Sequence, residues 1–218
     1  MKKVFAFAAA VVLFAGMASA QLGIHVGYAP QTYKTDYSTT VLGTTITGHD
    51  TTNMDGFFVG IDYNVAITGD LKVSVGLQGR YNMHSEESSA TLLGVTTTSK
   101  TTANQMLIDV PVLFNYGLNL SDALKISVFA GPTITYALSG KTTNVTTVAG
   151  TETNSETDWY GDNSDLKKLD VALSLGAAVT FSDIKIFGGY NMGLLNLNGA
   201  DGYTMKGSNL FIGVGYNL

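Results

Sequence analysis

The chain has 218 residues, a formal net charge of −5, 45% hydrophobic residues and no cysteine. Its length suits one domain; the missing cysteine excludes disulfides and thiolate metal sites; and an acidic chain offers no basic footprint for nucleic acid. Only 13% of residues are charged, against about 25% in ordinary soluble domains, yet after the N-terminus nothing reaches the run of about 18 apolar residues that a spanning helix needs.

Lys2-Lys3, an apolar run over 4–16 and the small-residue site Ala18-Ser19-Ala20 have the layout of a secretory signal cleaved before Gln21. An anchor helix is the alternative, but the run is short and ends in an A-x-A site. Residues 1–20 are therefore a predicted signal peptide and 21–218 a single barrel domain.

From there on, two textures alternate: apolar residues with a period of two, which predict strands, and Thr/Ser/Asn/Gly-rich stretches, which predict loops. The first strand is "LGIHVGYAP" (22–30), with Leu22, Ile24, Val26 and Tyr28 on one face and His25 on the other. The second (56–66) puts Phe57, Val59, Ile61 and Tyr63 opposite Phe58 and Asp62. In the third (71–82), Val73, Val75, Leu77 and Tyr81 oppose Lys72, Gln78 and Arg80. The fourth is "LIDVPVLFNYGL" (107–118), where Ile108, Val110, Val112, Phe114 and Tyr116 oppose Asp109 and Pro111. The fifth (123–137) sets Leu124, Ile126 and Val128 against Lys125 and Phe129. The sixth (169–181) sets Leu169, Val171, Leu173 and Leu175 against Asp170 and Ser174. The seventh (184–193) sets Ile184, Ile186 and Tyr190 against Lys185 and Phe187, and the last runs through Leu210, Ile212, Val214 and Tyr216 to Leu218, with Phe211 on its opposite face.

Eight strands of this length each match the ~9–11 residues that cross a bilayer at a tilt. Short connections at 67–70, 119–122 and 182–183 alternate with long ones at 30–54, 83–105, 138–167 and 195–207. That alternation predicts an all-β fold: an eight-stranded antiparallel up-and-down transmembrane β-barrel, with short periplasmic turns and long extracellular loops. Such a strand keeps an apolar outer face and may carry polar groups inside, which explains how Asp109 and Pro111 sit within an apolar run. Pro111 lacks an N–H, so the ladder should be disturbed there by a bulge or bend, with Pro132 close by on the next strand.

"LIDVPVLFNYGL" resembles the L-x-[IV]-P-[LV]-L-x-x-Y signature of PorT-like outer-membrane β-barrel domains. "FAGPTITYAL" (129–138), "LDVALSLGAAVTF" (169–181), "GGYNMGLLNL" (188–197) and the ending "LFIGVGYNL" resemble further strands of that family. The resemblance spans the mature chain and implies the bacterial outer membrane as location. It implies membrane lipid and lipopolysaccharide as surroundings, and contact of the C-terminal strand with the barrel-assembly machinery. The chain departs from the pattern in ending in Leu218 where such barrels commonly end in Phe. Asp50-Thr51-Thr52 resembles an acidic O-glycosylation acceptor.

The lumen of an eight-stranded barrel is just wide enough for side chains to fill. The inward parity gives Asp62, Lys72, Arg80, Asp109, Lys125, Asp170 and Lys185; unpaired buried charges are costly, so these should pair, Arg80 with Asp109 in particular. Such a network reads either as a plug or as a selectivity filter, and the four inward phenylalanines favour the plug. Tyr28, Tyr63, Tyr81, Tyr116, Tyr190 and Tyr216 carry the outward parity near strand ends, where amphipathic rings suit the bilayer interface.

No catalytic residue, cofactor or metal site is expected. In the cluster His84-Ser85-Glu86-Glu87, neighbours on a strand point to opposite faces, so His84 does not serve Ser85 as a base. His25 is read as a satisfied interior histidine, and His49-Asp50 lacks metal-ligand spacing. Trp159-Tyr160 is the candidate exposed aromatic pair for a loop contact. The expected role is structural or interactive. A narrow pore and a soluble, lipocalin-like ligand-binding barrel are the alternatives.

Overall fold

A computed structural model describes residues 21–41, 44–162 and 164–218; the predicted signal at 1–20 lies outside the described residues. Ten strands follow in chain order: β1 (Gln21–Tyr28), β2 (Gln31–Val41), β3 (Thr44–Thr68), β4 (Leu71–Leu92), β5 (Val95–Asn119), β6 (Leu124–Val148), β7 (Thr151–Asp158), β8 (Leu169–Phe181), β9 (Ile184–Gly193) and β10 (Tyr203–Asn217). All pair antiparallel with their neighbours, and β10 returns to β1 and β2, closing the sheet into a ring.

The ring has eight staves, because β1 and β2 are one stave. Both keep a single register against β10, from Gly23 opposite Asn217 to Gln31 opposite Asn209, and a single register against β3. Between them lies Ala29-Pro30, where proline has no N–H to give; the Ala29 N–H reaches Gly56 O at 2.7 Å. β7 stands outside the ring, paired with the upper part of β6.

The alternating apolar residues face out. Val59 is 65%, Leu77 52% and Ile212 59% exposed, while Asp62, Arg80 and Asp109 are buried. A soluble barrel holding a ligand would need the reverse, which removes the lipocalin-like alternative.

The long connections differ from the sequence reading, being mostly strand rather than loop. β3, β5 and β6 each run for 25 residues, about 80 Å at ~3.3 Å per residue. β4 and β5 meet at Leu93-Gly94, and β6 and β7 at Ala149-Gly150, with positive φ at all four residues. That is the two-residue turn whose twist suits a hairpin. The Thr-rich texture predicts loop by its polarity alone. Threonine is β-branched, however, and a strand hydrated on both faces needs no apolar alternation.

Pro111 disturbs the ladder without shifting it. The β4–β5 pairs skip from Val75–Val112 to Gln78–Asp109, and the β5–β6 pairs from Pro111–Thr133 to Phe114–Ala130, each in unchanged register. Pro132 falls within the second gap. Gly76 faces the ring, and a Cβ there would lie 2.8 Å from Pro111 Cγ. The bulge in this pair of strands lies elsewhere, at Leu138, between Met106–Ser139 and Leu107–Ala137.

Candidate functional site in the barrel lumen

Four phenylalanines from four staves cross the lumen. Phe58 sits beside Phe187, Phe187 beside Phe211 and Phe211 beside Phe129, with ring centroids 6.1–6.3 Å apart; the His25 ring joins at 5.8–5.9 Å. Each phenylalanine lies directly opposite a glycine on the next stave: Phe58 over Gly27, Phe129 over Gly176, Phe187 over Gly213 and Phe211 over Gly189. A Cβ at any of these glycines would come within 3.0 Å of the ring, so the missing side chains make the room the rings fill.

On the long-hairpin side of this layer lies a polar lattice centred on Asp109, which is 1% exposed. Arg80 grips it with two bonds, Nε to Oδ2 at 2.9 Å and Nη2 to Oδ1 at 3.1 Å. Gln78 Nε2 donates to Oδ2 at 3.0 Å and the Thr135 hydroxyl to Oδ1 at 2.6 Å. The third arm of Arg80, Nη1, donates to Gln31 Oε1. Asp170 stands nearby in the field of Arg80, but it accepts backbone N–H bonds, from Val171 at 2.8 Å and from Leu195.

Higher still, the mouth carries a cap. Tyr33, Met54 and Ala103 form a buried apolar cluster against which Trp159, Leu197 and Met205 pack. Tyr33 donates its hydroxyl to Gln105 Oε1 at 2.7 Å, and Gln105 Nε2 donates to the Tyr160 hydroxyl at 2.8 Å. Burial pushes the Tyr33 hydroxyl far above its ordinary range, with Arg80 pulling the other way; burial raises Tyr160 as well. Trp159 Nε1 bonds Thr142 Oγ1 at 2.7 Å, and both rings rest over Gly140. The expected exposed pair is thus half-buried and turned inward. The apolar cluster gives these two rings more to bury than solvent would, and sequence-local reasoning could not see that cluster.

On the side of the short turns the lumen opens into a cup of about 490 Å³, lined by residues of all three turns. Asp62 receives His25 Nδ1 at 3.0 Å and Lys185 Nζ at 3.3 Å on Oδ1, and Asn64 Nδ2 at 2.5 Å on Oδ2. Lys72 donates to Gln21 Oε1 at 3.1 Å. Among the described residues neither Lys72 nor Lys125 has a carboxylate within ion-pair distance. The seven lumen charges therefore do not form one network. Arg80 pairs with Asp109 and Lys185 with Asp62, and the last two lysines stand in the open cup, where water lowers the need for a counter-ion.

Of the outward tyrosines, Tyr63, Tyr116 and Tyr216 lie opposite Leu22, Leu71 and Ile184, close to the periplasmic ends of their strands. Tyr28 and Tyr81 lie towards the other end, where they donate to Asp55 at 2.5 Å and Asn104 at 2.9 Å. Tyr190 lies opposite Leu210. Tyr136, not singled out in the sequence, is also outward and exposed. His84 Nε2 stands 3.9 Å from Glu86 Oε2, two residues along the same strand; Ser85 points to the other face.

The family model described as "Outer membrane protein beta-barrel domain" matches residues 18–199. A comparison with curated proteins finds no match. Among solved structures, the chain is similar to Ail, the attachment invasion locus protein of Yersinia pestis, at 14% identity and a TM-score of 0.32, covering 92% of this chain and 100% of that one. It is similar to Neisserial surface protein A at 10% identity and a TM-score of 0.40, with the same coverages. A third is the N-terminal β-barrel domain of Pseudomonas aeruginosa OprF, at 10% identity and a TM-score of 0.30, again covering 92% and 100%.

Proposed function

The chain belongs to the outer membrane protein β-barrel domain family, and on that premise we propose that it is a plugged scaffold of the bacterial outer membrane that presents β-hairpins to the exterior. Its surroundings are lipid and lipopolysaccharide, against which the outward apolar band lies. The observation that carries this reading is the buried Arg80–Asp109 lattice across the lumen, beyond the phenylalanine layer that narrows it. Arg80 and Asp109 act here as a latch between staves, not as a filter.

Within the family, "LIDVPVLFNYGL" and the three further strand patterns favour the PorT-like group, with Leu218 as the departure. The leader 1–20 is removed on export, so the mature protein starts at Gln21; mass spectrometry of the protein from outer membranes reads that terminus directly. The alternating strand that ends at Leu218 serves the barrel-assembly machinery. The role is structural or interactive rather than catalytic, since the one Ser/His pair of neighbours splits across two faces of β4.

Purified protein in a planar bilayer should leave the baseline conductance unchanged. Steady channel steps that change with Arg80→Ala would replace the plug with a pore.

A further inference from the structure

We propose that the periplasmic cup is a binding site for a small phosphate group, held between Lys72 and Lys125. The proposal takes from the reading above only the orientation of the barrel, not its closure.

The phenylalanine rings line the inner part of the cup, which continues past them to Gln78, Ser174 and Asn191, and its mouth is ringed by Asp70, Asp122 and Asp183, one from each short turn. Inside are His25, Asp62, Lys72, Lys125 and Lys185. Asp62 takes both His25 and Lys185, and the Lys185 ammonium also lies 5.3 Å from the Phe187 ring. That leaves two lysines on the opposite wall. Lys72 on β4 lies across from Asn115, and the stem of Lys125 on β6 runs over Gly117, two residues further along the same β5. The two ammonium groups reach the same stretch of β5 from either side and act on each other electrostatically.

Two like charges held on one wall, with no carboxylate in ion-pair distance among the described residues, leave a site for a dianion. Phosphate supplies that charge on oxygens that accept bonds from both ammonium groups. Gln21 accepts from Lys72 through its oxygen and has its amide N–H groups left to donate. The residue that makes room is glycine: a Cβ at 117 would lie 2.8 Å from the Lys125 Nζ. The three rim aspartates repel an extended polyanion, so the ligand is compact. It is either free phosphate or a phospholipid head group whose cationic end faces the rim.

The test uses the mature barrel folded in dodecyl maltoside, which carries no phosphate. Isotope-labelled protein is titrated with inorganic phosphate and, separately, with O-phosphoethanolamine, against sodium chloride of equal ionic strength. Expected are saturable shifts at Asn115 and Gly117 with one or both phosphates and none with chloride. Saturation by inorganic phosphate identifies the free ion; saturation by phosphoethanolamine alone identifies the head group. Lys72→Gln/Lys125→Gln should weaken binding at least tenfold while heat-modifiable migration stays as in the parent, and Lys125→Arg, which keeps the charge, should retain it. An unsaturated response to both phosphates overturns the proposal, as does a response unchanged in the double variant. Conductance is read separately, so a barrel that binds phosphate and also conducts would overturn the plug alone.

Discussion

Arg80 is the only arginine in the chain, and it sits where a lysine would serve poorly. Its planar fork gives two bonds to Asp109 and a third to Gln31, which a point charge cannot do. Breaking one side of so buried a pair leaves an uncompensated charge and costs about 3–5 kcal/mol. Urea unfolding of Arg80→Met in detergent should show a loss of that order. Arg80→Met/Asp109→Leu should be more stable than Arg80→Met, because no lone charge remains. At the mouth, the raised Tyr33 hydroxyl has a consequence for pH. Its proton is bound more tightly in the folded chain than in the unfolded one, so its contribution to stability is complete below the ordinary tyrosine value of 10.0. It is lost as pH rises above that value. Stability measured from pH 9 to 12 should fall more steeply in the parent than in Tyr33→Phe.

Elements show a division of labour along single strands. The lower part of β5 is a lipid-facing stave, while its upper part belongs to a Thr-rich hairpin that touches no membrane. Above Asp55–Met83 the pairing between β3 and β4 ends, so the β2–β3 hairpin stands apart from the sheet that β4, β5, β6 and β7 continue to form. Replacing 86–101 with a two-residue Asn-Gly turn should therefore leave heat-modifiable migration intact. Loss of the folded band would mean that the barrel depends on its projections. The aromatic layer is less tolerant. Gly176→Val would push a branched side chain into the Phe129 ring, and overpacking costs about 1–3 kcal/mol; Gly176→Val/Phe129→Ala should regain part of that loss in the same unfolding assay.

For the whole molecule, closure of the ring pairs every barrel stave among the described residues on both sides, as backbone in lipid requires, with gaps in the ladder beside Pro111 and Pro132. The alternation of short turns and long hairpins is the basis for the proposed orientation, with the short turns and both described ends of the chain at the periplasmic side. An epitope inserted at Leu93-Gly94 should be accessible to antibody on intact cells, and one at Ser121-Asp122 should not. The reverse pattern would invert the barrel and move the lysine cup outside.

Sequence determined the faces. A period of two is a local property, so the eight staves and the two faces of each could be read from Leu22 to Leu218, while the structure decided that the apolar face is the outer one. The inward phenylalanines and the glycines opposite them are likewise visible in the chain. What tertiary structure decided was which inward groups meet. Stave register brings Arg80 to Asp109 and Gln31, across 29 and 49 residues, and hands Asp62 to His25 and Lys185 while leaving Lys72 and Lys125, among the described residues, without a carboxylate in ion-pair distance. It also turned Trp159 and Tyr160 into a cap, because the apolar cluster they cover is assembled from β2, β3 and β5, strands that no local window contains together.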